Sequence, residues 1–312
     1  MISIGLPAIK SSFLSDAISS ILDQRYKEFE LIVVNDRKDL IIREKVLSFN
    51  DSRIRYIEED TILPVVNNWN RVLSYSKGDL FILFSDDDIC HPDFLSELIL
   101  LANRYPACDI FHCRVKKIDE NGDQLELTTE CPEYETGLEF LENRLKGNRE
   151  HFAPEFMVRT DKLKAIGGFV DLPCAWGSDD LTWFRLSRQN GIAYSAEPLV
   201  SWRRSPDQIS ISGSFAERLL AAEKYGEWIK SFILSVNPTT DQERNQFFEL
   251  EALLPGNLEN QKTFLMTVHA QNHNLIRHLI FFLKYRNRRK LKFRWVIYSL
   301  SQKFDKRKFN KR

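Results

Sequence analysis

Three short apolar runs, residues 2–6, 29–34 and 80–84, are separated by longer stretches in which apolar side chains recur every three or four positions. Strands with so little polar face are buried on both sides, and two-sided burial belongs to a mainly parallel sheet covered by crossover helices. The intervening periods fit such helices. Phe13, Leu14, Ala17, Ile18, Ile21 and Leu22 share one face, with Ser12 as the expected cap. Val65, Val66, Trp69, Val72 and Leu73 share another, with Gly78 as the expected stop. A weaker strand is expected at 54–57, and Pro92 opens a helix that turns Phe94, Leu95, Leu98, Leu101 and Ala102 inward. Phe111, Cys113 and Val115 then alternate with polar residues, and Asn121-Gly122 is a tight-turn signal, so a hairpin makes the sheet mixed. Helical period returns at 136–146 and 180–189, and beyond residue 213 the chain reads as helical throughout. We expect two parts, an α/β domain over residues 1–212 and a C-terminal helical region over 213–312.

Composition narrows the class without naming a partner. At 43% hydrophobic and 28% charged residues the chain is that of an ordinary globular protein. Five cysteines with no Cys-x-x-Cys pair suit reduced thiols and exclude a zinc ribbon. The N-terminus runs straight into a strand pattern, and no apolar stretch approaches the ~20 residues of a spanning helix. The expectation is therefore a cytoplasmic protein. Net charge is zero but segregated: residues 283–312 hold thirteen Lys or Arg against one acid, Asp305, leaving +12 there and −12 elsewhere.

Chemistry concentrates where the third run ends. Asp86-Asp87-Asp88 follow residue 84 without an intervening glycine or proline, at the carboxyl edge of a parallel sheet, where open α/β folds bind ligands. Adjacent carboxylates raise one another's pKa unless a cation intervenes, and oxygen ligands suit Mn²⁺ or Mg²⁺. An acidic cap on the following helix is the alternative reading. No phosphate loop of the Gly-Lys-Ser kind and no Gly-x-Gly-x-x-Gly is present, so ATP hydrolysis and NAD chemistry have no motif to rest on. His269 and His273 lie four apart with no accompanying acid, which leaves them a packed or exposed helical face.

Over about residues 1–210 the order of motifs resembles glycosyltransferase family 2, the inverting enzymes of GT-A fold. The resemblance rests on a first strand ending at Pro7, on the run from Tyr26 to Asn35-Asp36, and on Lys77-Gly78-Asp79 before the acidic triplet. It continues through Gly167-Gly168-Phe169, the pair Asp179-Asp180, and Trp202-Arg203-Arg204. It implies a nucleotide-sugar-binding sandwich with a mixed, mainly parallel sheet and a C-terminal helical appendage. It implies transfer of a sugar from a nucleoside diphosphate donor, a UDP-sugar being expected, to the hydroxyl of a glycan or lipid-linked acceptor, as in surface polysaccharide synthesis.

By the same resemblance Asp36 meets the nucleobase and Asp86 the ribose, while Asp88, with Asp86, holds the metal. Pro7, Asn70 and Asp87 line the nucleotide-sugar pocket, and Arg203 and Arg204 lie near the diphosphate, a solvated cation pair being the alternative for these two. Asn35 stands where the family commonly has Asp and Arg37 where it has Gly, which leaves the base open. Asp179 is the expected general base, because it precedes Arg185 by six residues as in the family's acidic pair, with Asp180 as the fallback and a helix cap as the bland alternative. A metal-dependent nucleotidyltransferase and a non-catalytic scaffold of a glycan-assembly complex are the rival functions. For the basic tail we expect no nucleic acid. Leu291, Trp295, Tyr298 and Gln302 mark a helical stripe suited to an anionic membrane surface, which would hold the protein on the inner face of the membrane; a solvated basic end is the alternative.

Overall fold

The computed structural model describes residues 1–204, 214–235, 238, 240–286 and 291–304, and the expected boundary at 212/213 and the last residues of the basic tail lie outside them. The chain divides into two compact units, Met1–Asp171 with Ser178–Ile211, and Leu172–Gly177 with Ser212–Arg312.

In the first unit the elements β1 (Ile2–Pro7), α1 (Leu14–Leu22), β2 (Phe29–Asn35), α2 (Leu40–Ser48), β3 (Ile54–Glu58), α3 (Val65–Ser74) and β4 (Leu80–Leu83) follow in order. Then come β5 (Ile89–Cys90), α4 (Phe94–Arg104), the hairpin of β6 (Ile110–Ile118) and β7 (Gln124–Leu127), and β8 (Tyr134–Glu135). The unit closes with α5 (Gly137–Lys146), β9 (Phe156–Arg159), α6 (Thr160–Ala165), α7 (Ser178–Asn190) and β10 (Ile192–Arg203). The sheet runs β3-β2-β1-β4-β9-β6-β10-β5, with β7 on β6 and β8 on β10. Its first four strands are parallel, and β9 enters antiparallel to both β4 and β6. The mixed, mainly parallel sheet read from the sequence is the one that forms.

Burial explains why those runs were visible. Every residue of β1 and β4 is buried, and each fully buried Leu, Ile or Phe contributes about 1.5–3 kcal/mol. Gly5 in β1 is required by close packing, since a Cβ there would lie 2.4 Å from Val72 of α3 and 2.9 Å from the Phe81 ring. Two expectations at helix ends are corrected. α1 begins at Leu14 after Phe13 with no side-chain cap, so Ser12 does not serve, and α3 stops at Ser74, four residues before Gly78. Gly78 instead packs on β1, donating its N–H to Ser3 Oγ at 2.8 Å. α2 was not foreseen.

The second unit is helical: α8 (Phe215–Ser235), α9 (Asp241–Asn272), α10 (Leu275–Tyr285) and α11 (Phe293–Phe304). Its core gathers Phe215, Leu219, Leu265, Met266, Phe282, Leu291, Trp295 and Val296. This corrects the expected tail stripe. Leu291 and Trp295 are 4% and 5% exposed inside that core, and Trp295 donates its indole N–H to Glu259 at 3.1 Å, so the stripe's first two members face inward while Tyr298 is exposed. His269 and His273 stack at 4.2 Å, and His269 Nδ1 meets His278 Nδ1 at 3.0 Å.

One long-range clamp gives a direct test of the first unit. The Asn70 amide, expected at the donor pocket, has another use: Oδ1 accepts from Phe169 N at 2.8 Å and Nδ2 donates to Phe169 O at 3.2 Å. It thereby fixes the Gly167-Gly168 turn, whose φ of +86° and +81° only glycine adopts freely. Asn70→Ala leaves both backbone groups unpaired and should cost about 1–3 kcal/mol, read as a lowered midpoint in thermal unfolding. An unchanged midpoint would remove the clamp from the account.

Candidate active site

The acidic triplet sits at the carboxyl end of β4, beside β1, and its neighbours come from far along the chain. Asp86 Oδ2 accepts the backbone N–H groups of Ile9 and Lys10 at 2.7 and 2.6 Å, which ties the loop after β1 to the loop after β4. Lys10 Nζ reaches Asp87 at 2.5 Å and Asp86 at 3.8 Å. β5 pairs antiparallel with β10 through Cys90 and Val200, and this brings Arg203 against the triplet. Asp88 Oδ1 accepts from Arg203 N at 2.8 Å.

All three aspartates are buried. Burial, reinforced by Asp87, pushes Asp88 up to about 8, and burial raises Asp86 to about 6 against the pull of Lys10. The Lys10 ammonium loses solvation too, yet Asp87, Asp86 and Asp88 hold it above the ordinary lysine value. Three buried carboxylates outnumber the one ammonium that reaches them, and a further cation would relieve their mutual repulsion. The donor set fits a hard ion bound by one or two carboxylates together with substrate phosphates, the usual manner of Mg²⁺. Among the described residues, no three His, Cys, Asp or Glu side chains are grouped as an all-protein metal cage.

Asp36 follows β2 at the same sheet edge. Its Oδ2 accepts from Arg71 at 3.1 Å and Leu63 N at 3.4 Å, while the buried Oδ1 has no partner among the described residues and can accept a hydrogen bond. Asn35 bonds Asp39 and Tyr56, holding the Asp36 loop against β3. Pro7 ends β1 buried, in register with Val34. Arg203 lies against the acidic loop. Its guanidinium is buried, donating to the carbonyls of Asp87, Asp119 and Glu120 at 3.0, 3.2 and 2.9 Å and lying 4.2 Å from the Phe13 ring. It braces the acidic loop from behind, and Arg204 beside it is half-buried.

The acidic pair opens α7, and its two members differ in surroundings. Asp180 is buried and fully engaged, with Arg144 Nε at 2.9 Å and His151 Nδ1 at 3.2 Å. Burial works against its charge, but Arg144 and His151 outweigh it and hold Asp180 well below the usual range. Asp179 is half-buried, forms no ion pair among the described residues, and its carboxylate feels the backbone N–H groups at the start of α7, its own and that of Asp180. Burial, then the charge of Asp180, pushes it up to about 7. Glu155, raised well above its ordinary value by burial, hydrogen-bonds His112 at 3.2 Å and feels both aspartates. The register Ile82↔Met157 places Glu155, just before β9, at the carboxyl end of β4, so both acidic groups belong to one sheet edge. Upstream, Val170 N donates to Thr182 Oγ1 at 2.9 Å, and Phe169 packs edge-on against Trp69 and Trp183. The sequence reading missed Lys10, Arg71, Arg144, His151 and Glu155. Lys10, three residues past Pro7, was the one with a positional hint.

Comparisons with known proteins agree on the class. The family model described as Glycosyl transferase family 2 matches residues 3–164. An uncharacterized glycosyltransferase of Rickettsia typhi is 25% identical over 206 residues, 65% of this chain and 64% of that protein. The Escherichia coli UDP-Glc:alpha-D-GlcNAc-diphosphoundecaprenol beta-1,3-glucosyltransferase WfgD is 33% identical over 90 residues, 28% of this chain and 36% of that protein. The chain thus matches less than two thirds of the length of either relative. Among solved structures, S. aureus TarS in complex with UDP-GlcNAc is similar at a TM-score of 0.59 and 16% identity, over 86% of each chain. Mannosyltransferase PcManGT from Pyrobaculum calidifontis, in complex with GDP-Man and Mn²⁺, is similar at 0.57 and 14%, over 98% of this chain and 87% of that one. At such identities the structural likeness speaks for the fold.

The contrast within the acidic pair predicts opposite pH effects. Asp179 keeps its proton to about pH 7 when folded but only to about 4 when unfolded, so stability falls as pH rises through that window. Asp180 is the reverse: its contribution is present above its unfolded value and is lost as pH falls toward its depressed folded one. Thermal unfolding across pH should therefore find Asp179→Asn more stable than wild type at about pH 8 and Asp180→Asn less stable. Superimposable profiles for the two variants would contradict the placement.

Proposed function

Because the chain belongs to glycosyltransferase family 2, we propose that it moves a sugar from a nucleoside diphosphate donor to an acceptor hydroxyl, with inversion at the anomeric carbon. The observation that carries this reading is a buried acidic loop in need of a cation at the same sheet edge as Glu155, whose electrostatic neighbour Asp179 forms no ion pair among the described residues and is raised to about 7. Asp36 Oδ1 accepts from the nucleobase, Asp86 faces the ribose, and Asp88, with Asp86, would hold Mn²⁺ or Mg²⁺. When bound there, the ion neutralises the charge that develops on the leaving diphosphate. Arg204 is the guanidinium available to the same phosphates. Asp179 accepts the proton of the acceptor hydroxyl as its oxygen attacks the anomeric carbon and the bond to the diphosphate oxygen breaks. Asp180, locked by Arg144 and His151, keeps a negative charge beside Asp179 and so keeps it basic enough to take that proton.

The donor we assign is a UDP-sugar, supported by the UDP-GlcNAc complex of TarS and the UDP-Glc in the name of the E. coli relative. That relative's diphosphoundecaprenol acceptor supports a lipid-linked or surface-polysaccharide acceptor here, and with it a peripheral place on the inner face of the membrane. No helix among the described residues is long and apolar enough to cross a membrane.

Release of nucleoside diphosphate from a panel of nucleotide sugars, with lipid-linked acceptor extracts, tests the reading. Asp179→Asn should bind donor like wild type yet transfer roughly a hundredfold more slowly, the scale of a lost general base. Full activity in Asp179→Asn would overturn the assignment, and release of pyrophosphate in place of nucleoside diphosphate would replace the transferase with a nucleotidyltransferase.

A further inference from the structure

The last two helices carry apolar residues on two faces, and the helical core uses only one. On α10, His278 and Phe282 are buried, while Leu279, Phe281 and Tyr285 pack on the cluster around them. Ile276, Ile280 and Leu283 follow at spacings of four and three and are 69%, 59% and 69% exposed. At the pitch of an α-helix these three form one ridge opposite the buried face. Exposed Arg277 and Lys284 run along one side of the ridge and exposed Arg286 lies on the other. α11 repeats the pattern: Trp295, Val296 and Ser299 are buried, Phe293 and Ile297 are 56% and 58% exposed, and Lys292 and Arg294 flank them, paired to Glu259.

Single exposed apolar residues mean little, but ridges bordered by cations on both sides mark a surface with a partner. Charge selects which one. Between residues 275 and 304 the sequence holds nine Lys or Arg and no Asp or Glu. In a symmetric contact between two copies the same patch meets itself, and cations would face cations with no acid of these helices to pair them. An anionic bilayer supplies both needs, acyl boundary for the ridge and negative headgroups for the flanks.

We propose that the outer ridge of α10, Ile276, Ile280 and Leu283 with Arg277, Lys284 and Arg286, docks on an anionic lipid surface, with Phe293 and Ile297 of α11 adding to the contact. This deepens the membrane-side reading by moving the contact off the buried Leu291 and Trp295, and its failure would leave the transfer reaction untouched.

Co-sedimentation with phosphatidylcholine vesicles, with and without phosphatidylglycerol, tests it on the full chain. Wild type should bind only the anionic vesicles, less as salt rises. The triple variant Ile276→Gln, Ile280→Gln, Leu283→Gln keeps every charge and should bind roughly tenfold or more weakly. Arg277→Gln with Lys284→Gln should weaken binding while leaving the ridge intact. Circular dichroism and donor turnover in both variants should match wild type, separating a lost contact from a lost fold or a wrong reaction. Vesicle binding by the triple variant equal to wild type would overturn the proposal, as would wild type that ignores anionic vesicles. Sedimentation velocity showing a wild-type dimer that the triple variant abolishes would overturn it too and assign the ridge to a second copy.

Discussion

Burying three consecutive carboxylates at the end of β4 is the constraint around which the first unit is arranged. Each loses solvation, and like charges next to one another make the loss worse, so the loop survives only where donors and cations come to it. The fold brings them from both directions: Ile9, Lys10 and their backbone from the loop after β1, Arg203 from the far end of β10. Neither delivery is local. The first depends on β1 and β4 being parallel neighbours, the second on β5 folding back to pair with β10. Even so, Asp88 stays raised to about 8, the electrostatic state of a site that gains from one more positive charge.

The acidic pair on α7 solves a different problem with the same materials. One carboxylate, Asp180, is tied to Arg144 and His151 and becomes a fixed charge, while the other, beside it, forms no ion pair among the described residues. A fixed charge next to a free acid moves the free acid's pKa up, and two chemically identical side chains acquire distinct behaviour from their surroundings alone. The Asn70 clamp on Phe169 and the bond from Val170 to Thr182 hold the preceding turn, so the start of α7 is anchored at the edge where the β4 loop lies.

Strands such as β2 and β4 were legible because burial on both faces leaves an unbroken apolar run, and α3 because Val66, Trp69, Val72 and Leu73 keep strict period. α2 was not, because only Ile42 and Val46 are buried while Leu40, Ile41 and Leu47 are exposed, which blurs any helical face. In the site, adjacent acids announced themselves. Their partners did not, since Lys10, Arg71 and His151 act across 77, 35 and 29 residues on Asp87, Asp36 and Asp180. Arg203 was visible as an arginine, but only the fold reveals that its guanidinium points at carbonyls and the Phe13 ring. Likewise the spacing of Leu291 and Trp295 declared a helical face without saying that the core would claim it.

The central claim is that the β4 loop is a cation-dependent seat for a nucleoside diphosphate. Its most direct measurement is the thermal stabilisation of the chain by UDP with and without Mn²⁺, in wild type and in Asp88→Asn. A ligand at about a hundred times its dissociation constant adds about 2.7 kcal/mol, an effect readily seen in the unfolding temperature. The account predicts stabilisation of wild type by UDP that requires Mn²⁺ and that Asp88→Asn lacks while remaining folded. Equal stabilisation by UDP in the absence of the ion, or in Asp88→Asn, would contradict it.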